Sequence, residues 1–325
     1  MTDPTMTDLS PSDPPDSYRP LRIGTRGSPL ALAQAHETKI RLMAAHGLPE
    51  AAFAIVPIKT TGDRVQDRPL SELGGKGLFT REIEDALLAG EIDIAVHSMK
   101  DMPTVQPDGL AITCYLPRED VRDAFVALGG LGTGNLADLE PGSVVGTSSL
   151  RRRAQLCHRR PDLEVVEFRG NVQTRLRKLS EGVAQATFLA MAGLRRLGLR
   201  DVARAPIPVE EMLPAIAQGA IGVEQRLGDA RVTAMLTRIN DADTAHRLRA
   251  ERALLAGLDG SCQTPIAGLA TLSSGTLRLR GEILRPDGSE CLIGEVSGGV
   301  ADAEALGTAL AADLRGRAGE GFFDA

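Results

Sequence analysis

Polar side chains that could bind or react follow a short apolar run near residue 92. Residues 92–96 are rich in β-branched side chains and too few for a helix, so they predict a buried strand. The polar residues that follow are His97, Ser98, Lys100 and Asp101. Pro103 disfavours helical geometry just before it, so the chain leaves the sheet here. Ligands bind at the carboxyl ends of strands in open α/β sheets, so Asp101 is a candidate site residue. The alternative is that Asp101 only caps a turn.

Arginines follow three predicted strands in the middle of the chain. The strands are predicted near residues 144–146, 165–168 and 187–191, and the arginines after them are Arg151, Arg152, Arg153, Arg169, Arg175, Arg195 and Arg196. Residues 147–200 contain 12 Lys and Arg but 4 Asp and Glu. Cations in the first turn of a helix oppose its dipole, at about 0.3–1 kcal/mol each. These positions predict a polyanion site; the alternative is a solvated basic face.

Cys262 stands apart from the other cysteines. It lies in a loop rich in Gly, Ser and Pro, where a thiol can be reactive; the alternative is a thiol tucked under the loop. Cys114, Cys157 and Cys291 are far apart and form no CxxC pair. The spacing therefore predicts no metal site and no disulfide framework, and it favours a reduced, cytoplasmic protein.

The order of predicted elements indicates an α/β protein of several domains. A chain of 325 residues is too long for one ordinary core. Strands and helices alternate from residue 21, which predicts parallel sheets, and a strand at 218–223 returns to the first sheet. Two α/β units would then be joined by two crossovers, followed by a small antiparallel α+β domain. We expect a disordered tail at 1–19, a first domain at 20–117 and 217–238, a second at 118–216, and a third at 239–325.

Two features of the first unit concern a site. Ser28 and Pro29 predict a helix start, and Arg26 just before it lies where free backbone N–H groups favour anions. The helix is expected to bury one apolar face, consisting of Leu30, Ala33, Ile40, Met43 and Ala44. A long loop at 59–77 contains a glycine cluster, which is typical of a lid.

Composition excludes several classes of function. Aromatic residues make up 3% of the chain and Trp is absent, which argues against a surface that stacks nucleic-acid bases. The net charge is −6, and no apolar run approaches the length of a membrane span. The first 20 residues have no hydrophobic segment and do not resemble a secretory signal. We therefore expect no nucleic-acid partner, no membrane partner and a monomer.

The candidate residues together predict a cleft for a polycarboxylate or polyphosphate. Arginines bind such groups through paired hydrogen bonds, and no GxxxxGK[ST] phosphate loop occurs. Asp101 would stabilise a developing cation, and Cys262 could tether a group covalently. The main alternative is a two-lobed solute-binding protein for a polycarboxylate ligand, which would need a signal sequence and no reactive cysteine.

Several blocks of sequence resemble one enzyme family, the porphobilinogen deaminases (hydroxymethylbilane synthases). The blocks occur in the same order, from residue 21 almost to the C-terminus. They are GTRGSPLA at 24–31, GGKGLF at 74–79, VHSMKD at 96–101, GTSSLRR at 146–152, RGN at 169–171, QGA at 218–220 and GSCQ at 260–263.

The resemblance implies a fold and a reaction. The fold would be two α/β domains like type II periplasmic binding proteins, plus a C-terminal α+β domain that carries a cofactor cysteine. The reaction would be a transferase step of tetrapyrrole (heme) biosynthesis, which condenses four porphobilinogen molecules head to tail with loss of ammonia. The product would be hydroxymethylbilane, and a dipyrromethane bound covalently through Cys262 would prime the chain.

The resemblance also assigns site residues. Asp101 would be the catalytic carboxylate, facing the pyrrole N–H groups, and His97 would have a structural role beneath the cleft. The cofactor would be held by Lys100, Asp101, Thr147, Ser149, Arg151, Arg152, Arg169, Gly170, Asn171 and Arg175. The substrate would contact Arg26, Ser28, Lys76, Phe79, Arg169, Arg175 and Arg196. Glu72 and Arg153 depart from the family pattern, and the sequence assigns them no role.

Overall fold

The computed structural model describes residues 19–64, 80–127, 136–203, 205–260 and 264–324. The predicted site residues Lys76, Phe79 and Cys262, together with Glu72 and the tail before residue 19, lie outside the described residues.

The strands and helices of the described residues alternate through most of the chain. The strands are β1 (Leu21–Arg26), β2 (Phe53–Ile58), β3 (Ile94–Ser98), β4 (Leu110–Tyr115), β5 (Asp123–Ala127), β6 (Val144–Gly146), β7 (Glu164–Val166), β8 (Ala186–Ala190), β9 (Ala205–Pro206), β10 (Ile221–Arg226), β11 (Ile266–Ser273), β12 (Thr276–Leu284) and β13 (Cys291–Gly299). The α-helices are α1 (Pro29–His46), α2 (Thr61–Arg64), α3 (Arg81–Leu88), α4 (Leu150–Arg159), α5 (Val172–Ser180), α6 (Met191–Arg196), α7 (Ala230–Thr237), α8 (Ala242–Gly257) and α9 (Ala303–Ala318).

Two five-stranded sheets have the same arrangement. The first has the order β2-β1-β3-β10-β4 and the second the order β7-β6-β8-β5-β9. In each, three parallel strands are followed by a strand that runs antiparallel to both of its neighbours, β10 in the first sheet and β5 in the second. This is the arrangement of type II periplasmic binding proteins. The predicted α/β class and the return of a strand near residue 221 to the first sheet are confirmed.

A third, smaller sheet completes the fold. Strands β11, β12 and β13 pair antiparallel in that order, and helices α8 and α9 pack against them. Their core contains Leu254, Leu279 and Leu310, which are almost fully buried. The predicted C-terminal α+β unit is therefore present.

Helix α1 begins as the sequence predicts but buries a different face. The Ser28 hydroxyl accepts the Ala31 backbone N–H (3.3 Å), and Pro29 occupies the first turn. The expected apolar face is wrong: Ile40 is 64% exposed, whereas Gln34 and Thr38 are buried. The reason is polar packing, because the Gln34 amide exchanges hydrogen bonds with the Ser98 hydroxyl at the end of β3 (2.8 and 3.1 Å).

Both crossovers between the two sheets are attached to the third domain through Glu251 on α8. Its carboxylate is fully buried and accepts Nη1 and Nη2 of Arg118, on the first crossover, at 2.6 and 3.0 Å. It also accepts the backbone N–H of Ala217, on the second crossover (2.7 Å), and that of Ala270 on β11 (2.8 Å). Ala217 has a φ of 59°, a conformation that a side chain disfavours and that this hydrogen bond helps to hold.

We predict that Glu251→Gln destabilises the protein strongly, because the neutral amide leaves the buried Arg118 guanidinium without a counter-ion. Loss of one partner of a buried pair costs about 3–5 kcal/mol. The measurement is the urea midpoint of unfolding at neutral pH. Glu50→Gln is the control, since the Glu50 carboxylate pairs with Lys39 but is itself exposed to solvent; equal midpoints for the two variants would contradict the prediction.

Candidate active site

The residues after β3 form a tight turn that exposes Asp101. A 3₁₀ turn spans Met99–Asp101, and Met102 is extended, as Pro103 requires. Met99 and Met102 are buried, at 1% and 4% exposure, whereas Asp101 is exposed and Lys100 is half-buried. Within the described residues the Asp101 carboxylate makes no hydrogen bond or ion pair. The predicted polar turn is confirmed, and its carboxylate is available to a ligand.

Charges from both α/β domains act on one another at this turn. Burial lowers the pKa of Lys100, Arg152 and Arg175 lower it further, and Asp101 opposes them. Burial likewise lowers the pKa of Arg175 to about 10; Arg152 and Arg169 add to the shift, while Asp101 opposes it. Arg175 therefore keeps its charge at neutral pH. The turn of the first domain thus lies close enough to an arginine-rich wall of the second domain for their charges to interact.

Hydrogen bonds between side chains and backbone shape the first part of that wall. Thr147 follows β6, and its hydroxyl accepts the Ser149 backbone N–H (3.2 Å). Ser149 caps α4 and accepts the Arg152 backbone N–H (3.4 Å). The hydroxyl of the neighbouring Ser148 instead accepts the Phe168 backbone N–H (3.0 Å). The polar residues predicted for the cofactor therefore also hold the start of α4.

The next strand end has a similar construction. Asn171 caps α5 and accepts the Thr174 backbone N–H at 2.8 Å. Gly170 has a φ of 122°, and a Cβ on it would lie 2.5 Å from the Thr174 side chain, so only glycine fits. The Arg175 Nε donates to the Gly170 carbonyl oxygen (2.9 Å). These contacts place Gly170, Asn171 and Arg175 in one small area.

Arg151 and Arg152 are buried and share a carboxylate that the sequence did not single out. Asp123, at the start of β5, accepts Arg151 Nη2 at 2.8 Å and Arg152 Nε and Nη2 at 3.1 and 2.6 Å. It also accepts Gln218 Nε2 (3.1 Å), from the second crossover. Burial alone would raise the pKa of Asp123, but the two arginines hold it well below its usual value. Two cations on one anion leave one positive charge in excess beside the cleft.

Arg169 supplies a hydrogen-bond donor that no described residue accepts. Its Nη1 is buried without a hydrogen-bond partner among the described residues. Such a group costs about 1–3 kcal/mol, more when charged, unless something satisfies it. A carboxylate suits it, and the dipyrromethane implied by the resemblance carries carboxylates on each pyrrole. The residues present therefore fit that group.

Arg196 is placed at the junction of the first two domains. Its Nε lies 3.0 Å from Glu37 Oε2 on α1, and its Nη1 and Nη2 both donate to the Gly219 carbonyl oxygen at 3.2 Å. Arg41 holds the other oxygen of Glu37 at 3.1 Å. A substrate carboxylate at Arg196 would have to compete with Glu37.

The remaining predicted residues of the first domain differ in burial: Arg26 and Ser28 are half-buried, whereas His97 is buried. Arg26 is half-buried at the end of β1, one turn before α1, and Ser28 caps that helix. His97 is buried, with Nε2 3.1 Å from the buried Glu224 carboxylate on β10. This buried contact fits the structural role that the resemblance implies for His97. In the part of the chain that the structure describes, no helix is long and apolar enough to span a membrane.

Comparison with known proteins gives consistent matches over nearly the whole chain. The family model for the "Porphobilinogen deaminase, dipyromethane cofactor binding domain" matches residues 21–234, and that for the "Porphobilinogen deaminase, C-terminal domain" matches residues 245–316. A curated porphobilinogen deaminase of Paracoccus denitrificans (strain Pd 1222) is 69% identical over 310 residues, which is 95% of this chain and 98% of the relative.

Solved structures with a related shape are much more distant. The BvgS VFT2 domain of Bordetella pertussis (double mutant) is 15% identical, with a TM-score of 0.41 over 67% of this chain and 84% of that one. The periplasmic aliphatic sulphonate binding protein SsuA of Escherichia coli is also 15% identical, with a TM-score of 0.39 over 74% of each chain. Similarity at this level says nothing further about the site.

We predict that Asp123→Asn destabilises the protein by about 3–5 kcal/mol at neutral pH, because two buried arginines lose their shared anion. The depressed pKa of Asp123 gives a stabilisation that is complete above its ordinary pKa of 3.8 and is lost as the pH falls below it. The difference from the unmodified protein should therefore shrink below pH 3.8 in urea unfolding. Asp162→Asn is the control, since Asp162 pairs with Arg160 at the surface. A pH-independent difference for Asp123→Asn would contradict the prediction.

Proposed function

The chain belongs to the porphobilinogen deaminase family, and we propose that Asp101 is the residue on which its catalysis depends. The protein is a transferase of tetrapyrrole biosynthesis that uses a dipyrromethane cofactor. It condenses four porphobilinogen molecules into hydroxymethylbilane with loss of ammonia. When bound, the dipyrromethane offers the pyrrole carbon to which the first substrate pyrrole is joined. Family membership decides against the alternative of a solute-binding protein.

The exposed carboxylate of Asp101 is the observation that carries the proposal. It has no partner within the described residues and faces a wall of arginines, so it is free to accept hydrogen bonds from pyrrole N–H groups. Positive charge develops on the substrate pyrrole when its aminomethyl carbon loses ammonia. A fixed carboxylate beside that ring stabilises the charge as it forms, which lowers the barrier.

The arginines have a separate task, which is to hold carboxylates. Each pyrrole carries two of them, and an elongating product needs many cationic contacts but few aromatic ones. Arg169 is the best supported, because its buried Nη1 has no hydrogen-bond partner among the described residues, and Arg175 lies beside it. We propose that the cofactor also contacts Lys100, Thr147, Ser149, Arg151, Arg152, Gly170 and Asn171.

Substrate contacts are proposed for a second group of residues. It comprises Arg26, Ser28, Lys76, Phe79, Arg169, Arg175 and Arg196. Of these, Arg196 would exchange Glu37 for a substrate carboxylate. Attachment of the dipyrromethane through Cys262 rests on the GSCQ block at 260–263, because that residue lies outside the described part of the chain.

We also propose that the protein acts as a cytoplasmic monomer without nucleic-acid or membrane partners. The scarcity of aromatic residues and the net charge of −6 support this. The domain limits at 20–117 with 217–238, 118–216 and 239–325 are part of the same proposal, and the position of the two crossovers supports them.

We predict that the intact mass of the purified protein exceeds the sequence mass by two pyrrole units, and that Cys262→Ala removes the excess. The thioether to this sulfur is the only covalent link proposed. Cys157→Ala is the control and should keep the added mass. Fully active protein with the unmodified sequence mass would contradict the proposal.

We predict that Asp101→Ala keeps the added mass but loses most of its turnover. Removal of one electrostatic contact in a transition state lowers kcat by about 10²–10³-fold. The effect is measured as the steady-state rate of hydroxymethylbilane formation. Asp108→Ala is the control, since Asp108 is a nearby exposed residue. Near-normal turnover of Asp101→Ala would remove the catalytic role.

A further inference from the structure

The turn that carries Asp101 is attached to the third domain by an arginine to which the sequence gives no role. Arg252, on helix α8, donates from Nη2 to the carbonyl oxygens of Pro103 (2.7 Å) and Thr104 (3.1 Å). These residues follow Asp101 by two and three positions. The Pro103 oxygen also accepts Gln106 Nε2 at 2.8 Å. Two donors therefore fix the chain just after the proposed catalytic carboxylate.

The apolar side of the same turn is also buried in the third domain. Met99 and Met102 flank Lys100 and Asp101 and belong to the hydrophobic cluster that contains Leu254 of α8. Met99 packs closely over Gly222 on β10, where its sulfur occupies the space that a Cβ would need. The turn is thus held between the first sheet and α8. Its orientation depends on the third domain as well as on its own strand.

The hydrogen-bond partners of Arg252 suggest a geometric role. Burial lowers the pKa of Arg252, with Tyr115 and Glu224 opposing the shift. Among the described residues, its hydrogen bonds nevertheless go to backbone carbonyl oxygens and not to a carboxylate. Partly burying a guanidinium without a carboxylate partner is a costly way to gain stability. A planar donor group does, however, hold two adjacent carbonyl oxygens in a defined orientation.

We propose that Arg252 is a positioning residue for Asp101, an inference that rests on the catalytic role proposed above. By holding the Pro103 and Thr104 carbonyl oxygens, Arg252 fixes the backbone after Asp101 and thereby the position of the Asp101 carboxylate. Helix α8 ends at Gly257, five positions before Cys262 in the sequence. One helix therefore both steadies the carboxylate and leads to the residue proposed to carry the cofactor.

The test compares Arg252→Met, which keeps the length of the side chain but removes its donors, with Arg252→Lys and with Arg249→Met. Arg249 is exposed on the same helix and controls for the change in charge. We expect Arg252→Met to lower kcat by about 10²-fold, as small misplacements of a reacting group do, with KM and the added mass unchanged. Arg252→Lys restores one donor and should recover most of the activity.

A second readout is independent of turnover. Amide hydrogen exchange in residues 98–106 should become faster in Arg252→Met but not in Arg249→Met. In an Asp101→Ala background, Arg252→Met should still speed this exchange but should cause no further loss of kcat. Both results follow only if Arg252 acts through the turn.

The outcomes separate the two proposals. If Asp101→Ala turns over normally, the catalytic role of Asp101 fails whatever Arg252 does. If Asp101→Ala is inactive but Arg252→Met keeps normal kcat per modified molecule, only the positioning role is overturned. A loss of kcat with unchanged exchange at 98–106, or without recovery in Arg252→Lys, also overturns it. Should Arg252→Met not fold, kcat and exchange in Arg252→Lys and Arg252→Gln decide the matter in the same way.

Discussion

The buried carboxylate of Glu251 is the interaction on which the arrangement of the domains depends. Desolvating it is expensive, and only a nearly complete set of hydrogen bonds offsets that cost. Arg118 and the backbone N–H groups of Ala217 and Ala270 provide this set. Because these donors come from both crossovers and from β11, the carboxylate joins the two halves of the cleft to the third domain at one point. The third domain is therefore part of the framework of the cleft.

A second buried carboxylate, Asp123, organises the cationic wall. By neutralising one of two adjacent arginines, it allows Arg151 and Arg152 to be packed side by side under the cleft. Arg152 in turn lowers the pKa values of Lys100 and Arg175. The wall combines the buried Arg151 and Arg152 with Arg169 and Arg175, which are more exposed. Arg151 and Arg152 would therefore contribute both to the stability of the wall, through Asp123, and to the cofactor contacts proposed above.

Local patterns were enough to predict the strand ends, the cap Ser28 and the clustering of arginines, because each depends on residues a few positions apart. The partners of those arginines were not predictable in this way. Asp123 lies 28 residues before Arg151, Glu251 lies 133 residues after Arg118, and Arg252 lies 149 residues after Pro103. The buried face of α1 was predicted wrongly, because apolar spacing ignores Gln34, whose amide is satisfied only once Ser98 is beside it. Cys262 was identified by its motif, which carries no information about its surroundings.

The contact between Arg196 and Glu37 has a consequence for selectivity. Because Arg196 already holds a carboxylate of its own chain, a carboxylate that arrives there replaces an existing ion pair and creates no additional one. The free energy gained is then the difference between two similar pairs, which is small for any single carboxylate. A ligand that meets several such positions at once accumulates the small differences, whereas a simple monocarboxylate does not. An internal counter-ion such as Glu37 would therefore make the binding free energy depend more on how many carboxylates a ligand carries than on the charge of any one of them.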